Sequence, residues 1–393
     1  MIYLDNSATT PVDPEVLDAM LPYLKEEYGN PSSRYYTLAV NAENAVEKAR
    51  EQVASLINAK PKEIIFTGSA SESNNMIIKG VADYMKFYSE KGNHIITSTV
   101  EHKSVLQVCK FLNGEVFDNN PTKSVASKFI KKKTTIKKID RGYEIDFLPV
   151  NKYAQVSTDD FKDAIKENTV LASFIYGNNE IGSLNDIVSL GNIAKESNIL
   201  FHSDATQVLG KIDIDVKNLP VDFLSFSAHK LYGPKGVGAA FIRQDGLSNY
   251  KMTSLIHGGQ QESGYRAGTH GVHNIVGFGK ACEIAQRDMK EYIKKIAELE
   301  IEAKKMILAK YPGTEFLGDP NNKIPGVIGM LIPNIVNEMF IKSIANEIAI
   351  SSGSACGISD PSYVIKEINM NNHSSHFLRL TLSKNSNSDD VII

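Results

Sequence analysis

The stretch VDFLSFSAHKLYGPKG, Val221 to Gly236, opens with an apolar run that stops at a serine and passes at once into Ala228-His229-Lys230. VDFLSFS has the length and β-rich make-up of a buried strand. A lysine at the close of such a strand is not an ordinary surface residue, because Lys is rarely buried without a partner. Outward from it, EIIFT (63–67), HIITSTV (94–100), VLASFIY (170–176), ILFHSD (199–204) and GAAFI (238–242) read as further buried strands. Between them lie helix-period segments, with Ile77, Val81, Tyr84 and Tyr88 on one face and Val105, Cys109 and Leu112 on another. Strands alternating with helices predict an α/β fold, a mostly parallel sheet with helices on both faces.

After about residue 265 the texture changes to a charged helix, 285–310, and short strands such as GVIGMLI. A chain of 393 residues is long for one core, so two domains are expected. These are a large domain over 16–262 and a small α+β domain built from 1–15 and 263–393. With 42% hydrophobic and 23% charged residues and a net charge of −3, the chain is not expected to bind nucleic acid or a membrane surface. Cys109, Cys282 and Cys356 form no disulfide framework or metal-ligand pattern, so no metal and a reducing compartment are expected. MIYLDNSATT has no signal-peptide pattern and no segment has the roughly 20 apolar residues of a membrane span, which predicts a cytoplasmic protein. One stretch stands apart: Asp118–Gly142 holds seven Lys and one Arg against two Asp, a net of +6, and reads as an inserted surface loop that ends just before the strand-like YEIDFLPV (143–150).

In an open α/β sheet, ligands bind beyond the C-terminal ends of the strands. GSASESNN (68–75) follows the first, where backbone N–H groups and Ser69 and Ser71 either hold a phosphate or simply cap a helix. Glu101-His102-Lys103 follows the second, Asn178-Asn179-Glu180 the third, and Asp204 with Gln207 the fourth. Ser227, His229 and Lys230 close the strand first quoted. An amine, an acid, a histidine and an anion cradle on one edge fit pyridoxal 5′-phosphate. That cofactor needs a lysine for its Schiff base, an acid at its ring nitrogen and a phosphate site. Lys235, in GPKG, is the competing amine; its flanking glycines suggest an exposed turn, so Lys230 is preferred.

A second unusual stretch is SSGSAC, Ser351 to Cys356, five small residues leading to a thiol. Together with YLDNSATTPVDPEV, GNPSS, TVEHKSVL, NNEIG, HSDATQVLGK, SFSAHKLYGPKGVGA, GYRAGT and LRLTLS, it resembles the cysteine desulfurases of the NifS/IscS type in the class V aminotransferases. The resemblance covers nearly the whole chain outside the basic stretch. It implies the fold type I of pyridoxal-phosphate enzymes, with a seven-stranded sheet in the large domain.

It also implies Lys230 as the Schiff-base lysine, Asp204 at the ring nitrogen and His102 stacked on the ring and moving protons. Asn179 and Gln207 would meet the ring oxygen, Asn179 lying also toward the substrate, while Ala70, Ser71, Ser227 and His229 would hold the phosphate. Thr269 would reach the phosphate of a neighbouring subunit, which implies a homodimer. Arg379 would pair with the carboxylate of L-cysteine, and Cys356 would take its sulfur as a persulfide. The persulfide would pass to an acceptor protein, an iron–sulfur scaffold or a thiolation protein. The chain departs from the family pattern at Tyr35, Ser71 and Gly357, in a shorter segment after Cys356, and in ending at SDDVII. A selenocysteine lyase is the alternative enzyme, and a non-catalytic dimeric scaffold the alternative outside enzymes.

Overall fold

The computed structural model describes residues 1–33, 35–115, 138–244, 252–353, 362–368, 370 and 375–391. Cys356 and residues 118–137 of the basic stretch lie outside these.

Seven strands form the main sheet: β2 (Ile64–Thr67), β3 (His94–Ser98), β4 (Glu144–Leu148), β5 (Thr169–Ile175), β6 (Leu200–Asp204), β7 (Phe223–Ser227) and β8 (Gly238–Ile242). Their order is β2-β8-β7-β6-β5-β3-β4. Only β8 runs against its neighbours, so the sheet is mostly parallel, as the alternation of strands and helices predicts. The apolar strands still alternate by face. Leu224 and Phe226 pack with helix α2 (Thr37–Leu56), whereas Phe223 packs with α3 (Ala70–Phe87) and α4 (Lys103–Leu112). The sheet is thus sandwiched between helices, and its strands are buried on both sides except at the edge strand β4, where Glu144 is exposed.

The expected helix of 285–310 is longer than its charge suggested, running from Val272 to Lys310. Its first three turns carry Ile275, Phe278, Ala281 and Cys282 into the main core, so they lack the charged texture of an exposed helix. Its later turns bury Ile296, Leu299, Ala303 and Ile307 against a three-stranded antiparallel sheet of β9 (Glu315–Leu317), β10 (Val327–Leu331) and β12 (Phe377–Thr381). The chain start, β1 (Ile2–Tyr3), pairs with β11 (Ile348–Ala349) beside it. Tyr88 lies just past the helical face expected to hold it: α3 ends at Phe87, and Tyr88 is exposed, stacked on Tyr84 with ring centroids 5.8 Å apart. At the close of the basic stretch, Lys138 pairs with Glu115, and the Arg141 guanidinium lies 3.8 Å from the Phe111 ring centroid. Those last residues are therefore tied to the body of the protein, with Lys138, Ile139 and Asp140 still exposed. Among the described residues no helix is long and apolar enough to cross a membrane.

The segment that carries Thr269 is pinned from below by one carboxylate. Glu262 adopts the left-handed backbone (φ 49°), which is unfavourable for a residue with a side chain. Its buried carboxylate accepts from both nitrogens of the Arg50 fork (2.7 and 2.8 Å), the Phe66 amide (2.7 Å) and His270 Nε2 (2.6 Å). Burial alone would raise its pKa, but the donations from Arg50 and His270 outweigh that and hold it at about 2. A depressed carboxylate stabilises the fold above its unfolded value of 4.5 and loses that contribution as pH falls toward about 2. Removing it by Glu262→Ala takes away the buried partner of the Arg50 fork, leaving it only Glu47 and the Ile64 carbonyl, and should cost about 3–5 kcal/mol in urea unfolding at pH 7. The gap between the variant and the parent should narrow below pH 4. An unchanged midpoint at pH 7 would refute the anchor.

Candidate active site

The parallel strands deliver their ends to one edge, and a cleft there is lined by residues from many separate segments of the chain. After β3, His102 caps α4. After β5 comes Asn179, and after β6 come Asp204, its last residue, and Gln207. After β7, a single turn carries His229 and Lys230. Ala70 and Ser71, at the start of α3, face them across the cleft, and Arg379 enters from β12. The expected residues Ala70, Ser71, His102, Asn179, Asp204, Gln207, Ser227, His229, Lys230 and Arg379 all line this one cleft. Thr269 does not; it is exposed, on the segment whose Arg266 reaches Glu72 in the first turn of α3 at 2.8 Å. Cys356 lies outside the described residues, but Gly353, in the same small-residue stretch, lines the cleft. Ser351 pairs with Arg379 through both backbone groups.

Lys230 is the group the fold has perturbed most usefully. Burial, then the like charges of Lys211 and Arg379, push its ammonium down to about 7, so an appreciable fraction is neutral near pH 7. Its Nζ donates to the carbonyls of Ser7 (2.5 Å) and Ala8 (2.7 Å). His229 is driven to about 4 by burial and by the cations around it, Lys230 foremost, so its imidazole is neutral. His102 is lowered for the same first reason, burial. Beneath it, burial pushes the Glu101 carboxyl up to about 8, although Ser98 and the Ile175 amide donate to it. Arg379 is held as a fork, one nitrogen on Asp5 (2.6 Å) and one on the Asn179 carbonyl (2.8 Å).

The residues fit a phosphorylated, ring-bearing carbonyl cofactor. Ser69 caps α3 through the Glu72 amide, which settles the capping alternative for Ser69. The next residues, Ala70 and Ser71, are at the helix N-terminus, where N–H groups and dipole favour an anion. The helix can start this close because Gly238 has no side chain: a Cβ there would stand 2.5 Å from the Phe226 carbonyl and 2.9 Å from the Ala70 nitrogen. Asn179 Oδ1 and Gln207 Oε1 are buried with no hydrogen-bond partner among the described residues, as polar groups awaiting a ligand would be. Asp204 accepts at Oδ1 from the Thr206 amide (3.0 Å) and hydroxyl (2.5 Å), and at Oδ2 from Asn74 (2.8 Å).

Two parts of this site escaped the reading of the sequence. The segment Asp5–Thr10 closes over Lys230 and ties down Arg379, Gln207 and His229. DNSATT has the polar, turn-forming make-up of such a strap, but nothing in it says which strand it will meet. Asn74 and Ser104 complete the hydrogen bonding behind Asp204 and His102.

Comparison with known proteins finds relatives along nearly the whole chain. The aminotransferase class-V family matches residues 2–139 and 133–392. A cysteine desulfurase IscS of Methylococcus capsulatus is 39% identical over 396 residues, covering 99% of this chain and 89% of the relative. One of Plasmodium falciparum is 41% identical over 95% of this chain, which spans 63% of that relative's length. Among solved structures, a NifS-like protein superposes with a TM-score of 0.83 at 31% identity, over 99% of this chain and 96% of that one.

The depressed amine has a direct signature. In the cofactor-free chain, cyanate should carbamylate Lys230 with a pH midpoint of about 7, followed by mass spectrometry of the digest. Ordinary lysines follow a midpoint near ~10.4. A Lys230 midpoint above about 9 would contradict the electrostatics described here.

Proposed function

The chain belongs to the aminotransferase class-V family and, within it, to the cysteine desulfurases, and we propose that its site moves the sulfur of L-cysteine onto Cys356 and releases L-alanine. The observation that carries this reading is the meeting of Lys230, Asp204, His102 and Arg379 in one cleft with Gly353 of the cysteine-bearing stretch. Pyridoxal 5′-phosphate, which this family uses, supplies when bound an electron sink for bonds broken at the substrate's α and β carbons. Lys230 would hold it covalently, Asp204 would meet its ring nitrogen, and Ala70, Ser71, Ser227 and His229 would hold its phosphate. Asn179 and Gln207 would reach its ring oxygen, and His102 would cover the ring.

The chain's own groups have separate tasks. Arg379, fixed by Asp5 and the Asn179 carbonyl, presents its remaining N–H groups to the substrate carboxylate. Lys230, partly neutral near pH 7, can accept and return a proton at the substrate's α carbon. The Cys356 thiolate attacks the substrate sulfur: a sulfur–sulfur bond forms, the carbon–sulfur bond breaks, and the electron pair left on the β carbon takes a proton. Thiol and cysteine thus become persulfide and alanine, with no outside oxidant. We place the work in a homodimer, with Thr269 serving the second copy's cofactor, and the persulfide passing to an iron–sulfur scaffold or thiolation protein. Residues 16–262 act as the cofactor domain, with the first turns of Val272–Lys310 packed into its core, and 1–15 with the rest of 263–393 as the smaller one. The free, buried thiols of Cys109 and Cys282 suit a reducing compartment such as the cytoplasm.

Cys356→Ala should retain pyridoxal phosphate and bind L-cysteine, yet lose alanine production by on the order of 10³-fold or more. Burial raises the thiols of Cys109 and Cys282, which makes them poor nucleophiles, so Cys109→Ala and Cys282→Ala should keep most of the activity. Persulfide detected by mass spectrometry on either of these, with Cys356 unmodified, would overturn the assignment. If selenocysteine alone yields alanine, the enzyme is a lyase of that substrate.

The basic stretch is assigned to delivery rather than chemistry. Replacing residues 118–137 by a short Gly/Ser linker, with Lys138–Gly142 left in place, should leave alanine production unchanged. Closing a loop costs only about 0.6 kcal/mol per doubling of length, so stability should also hold. Transfer of labelled sulfur to the acceptor protein should weaken and lose salt sensitivity. Undiminished transfer at low salt would make the stretch a spacer.

A further inference from the structure

We propose that Asn74 and Ser104 form a positioning relay that locks His102 in the tautomer with its proton on Nε2 while steadying Asp204 through the same amide group. The inference deepens the reading of the site as a desulfurase centre and rests on it.

Asn74 lies on α3, fully buried behind the cleft. Its Nδ2 donates to Asp204 Oδ2 and to Ser104 Oγ, each at 2.8 Å. The amide has two protons, and the two acceptors use both. The opposite placement of the amide would put Oδ1 against the carboxylate, two acceptors face to face, so the donor orientation is the one chemistry allows. Ser104 Oγ, having accepted from Asn74, must send its own proton elsewhere, and His102 Nδ1 stands 2.7 Å away. The Ser104 amide also donates to Nδ1, at 3.2 Å. Two donors converging on Nδ1 leave no proton there, so the neutral ring carries it on Nε2, the nitrogen left for the cleft.

A single buried amide therefore links the acid on one strand end with the histidine on another. The other Asp204 oxygen is held by Thr206, so the carboxylate is gripped from both sides. Neither isosteric replacement does this. An aspartate at position 74 would set two carboxylates against each other, and a leucine would leave both acceptors without donors. Asn74 Oδ1 is itself buried without a partner among the described residues. A fully satisfied structural amide would not show that deficit; here it accompanies an arrangement that favours the donor end.

The test uses the full-length, cofactor-loaded enzyme labelled with ¹⁵N-histidine, the His102 signals being assigned by their loss in His102→Gln. The parent should show an unprotonated Nδ1 and a protonated Nε2. Ser104→Ala, which removes the hydroxyl and leaves only the longer 3.2 Å amide donation on Nδ1, should give a mixture of tautomers and lower kcat on the order of 10-fold, with KM for L-cysteine within about twofold. Ser104→Thr, which keeps the hydroxyl, should restore the parental spectrum and most of kcat. Asn74→Ala should show the same tautomer mixture if its far-ultraviolet spectrum is native; the serine variants carry the test if it does not fold. A parental tautomer in Ser104→Ala, or no rescue by Ser104→Thr, would overturn the relay. Because the tautomer is read without turnover, an enzyme inactive toward L-cysteine would refute the functional reading while leaving the relay open to the same spectra.

Discussion

The Lys230 ammonium donates to two carbonyls more than two hundred residues away in sequence, those of Ser7 and Ala8. Much of the site depends on that contact. A lysine at the end of a buried strand cannot stay without partners, and here the partners come from the chain's first ten residues. The same strap is bound on its other side to the smaller sheet, with Asn6 donating to the Thr381 carbonyl (2.8 Å) and the Ser7 and Thr381 hydroxyls bonded at 2.9 Å. It is also bound to the strand turn, the Thr10 amide donating to the His229 carbonyl at 3.0 Å. A segment with almost no secondary structure of its own thus joins the main sheet to β12, and with it Lys230 to Arg379.

Charge in the cleft is arranged around anions. Lys230, Lys211 and Arg379 press on one another, and Asp5 and Asp204 offset them only in part. Lys211 is buried, without a hydrogen-bond partner among the described residues, and burial with Arg379 nearby lowers it to about 8. Such a surplus of positive charge is unfavourable in an empty pocket and favourable once a phosphate and a carboxylate enter. The imidazoles respond in the opposite sense: burial and neighbouring cations keep His229 neutral, so it can serve as a hydrogen-bond partner without adding to the repulsion. One set of cations both lowers the amine that must react and attracts the anions it must meet.

Support for the site comes from residues that do no chemistry. Glu262 holds a strained turn by four donations, and the segment after it carries Thr269. Gly238 lets the first turn of α3 lie against the backbone of β7. Asn74 stands behind two strand ends at once. Each is a local strain or an unusual burial that only the surrounding packing sustains.

The alternation of short apolar runs with helical periods was enough to determine the α/β class and the seven strands of the main sheet. The strand-end rule then collected His102, Asn179, Asp204, Gln207 and Lys230 without coordinates, because residues that follow parallel strands must gather on one edge. Lys230 was preferred to Lys235 on the same local grounds, an apolar run before the one and glycines around the other. Local patterns failed where the partner was distant. The first turns of the 39-residue helix Val272–Lys310 looked unremarkable because the main core, not solvent, covers them. Asp5, Ser7 and Ala8 belong to the site only because the chain start crosses the end of β7, and Asn74 only because α3 passes behind β6 and the start of α4. Periodicity records which face of an element is buried; what a polar group meets there depends on closing loops of hundreds of residues, and that was decided by the tertiary structure.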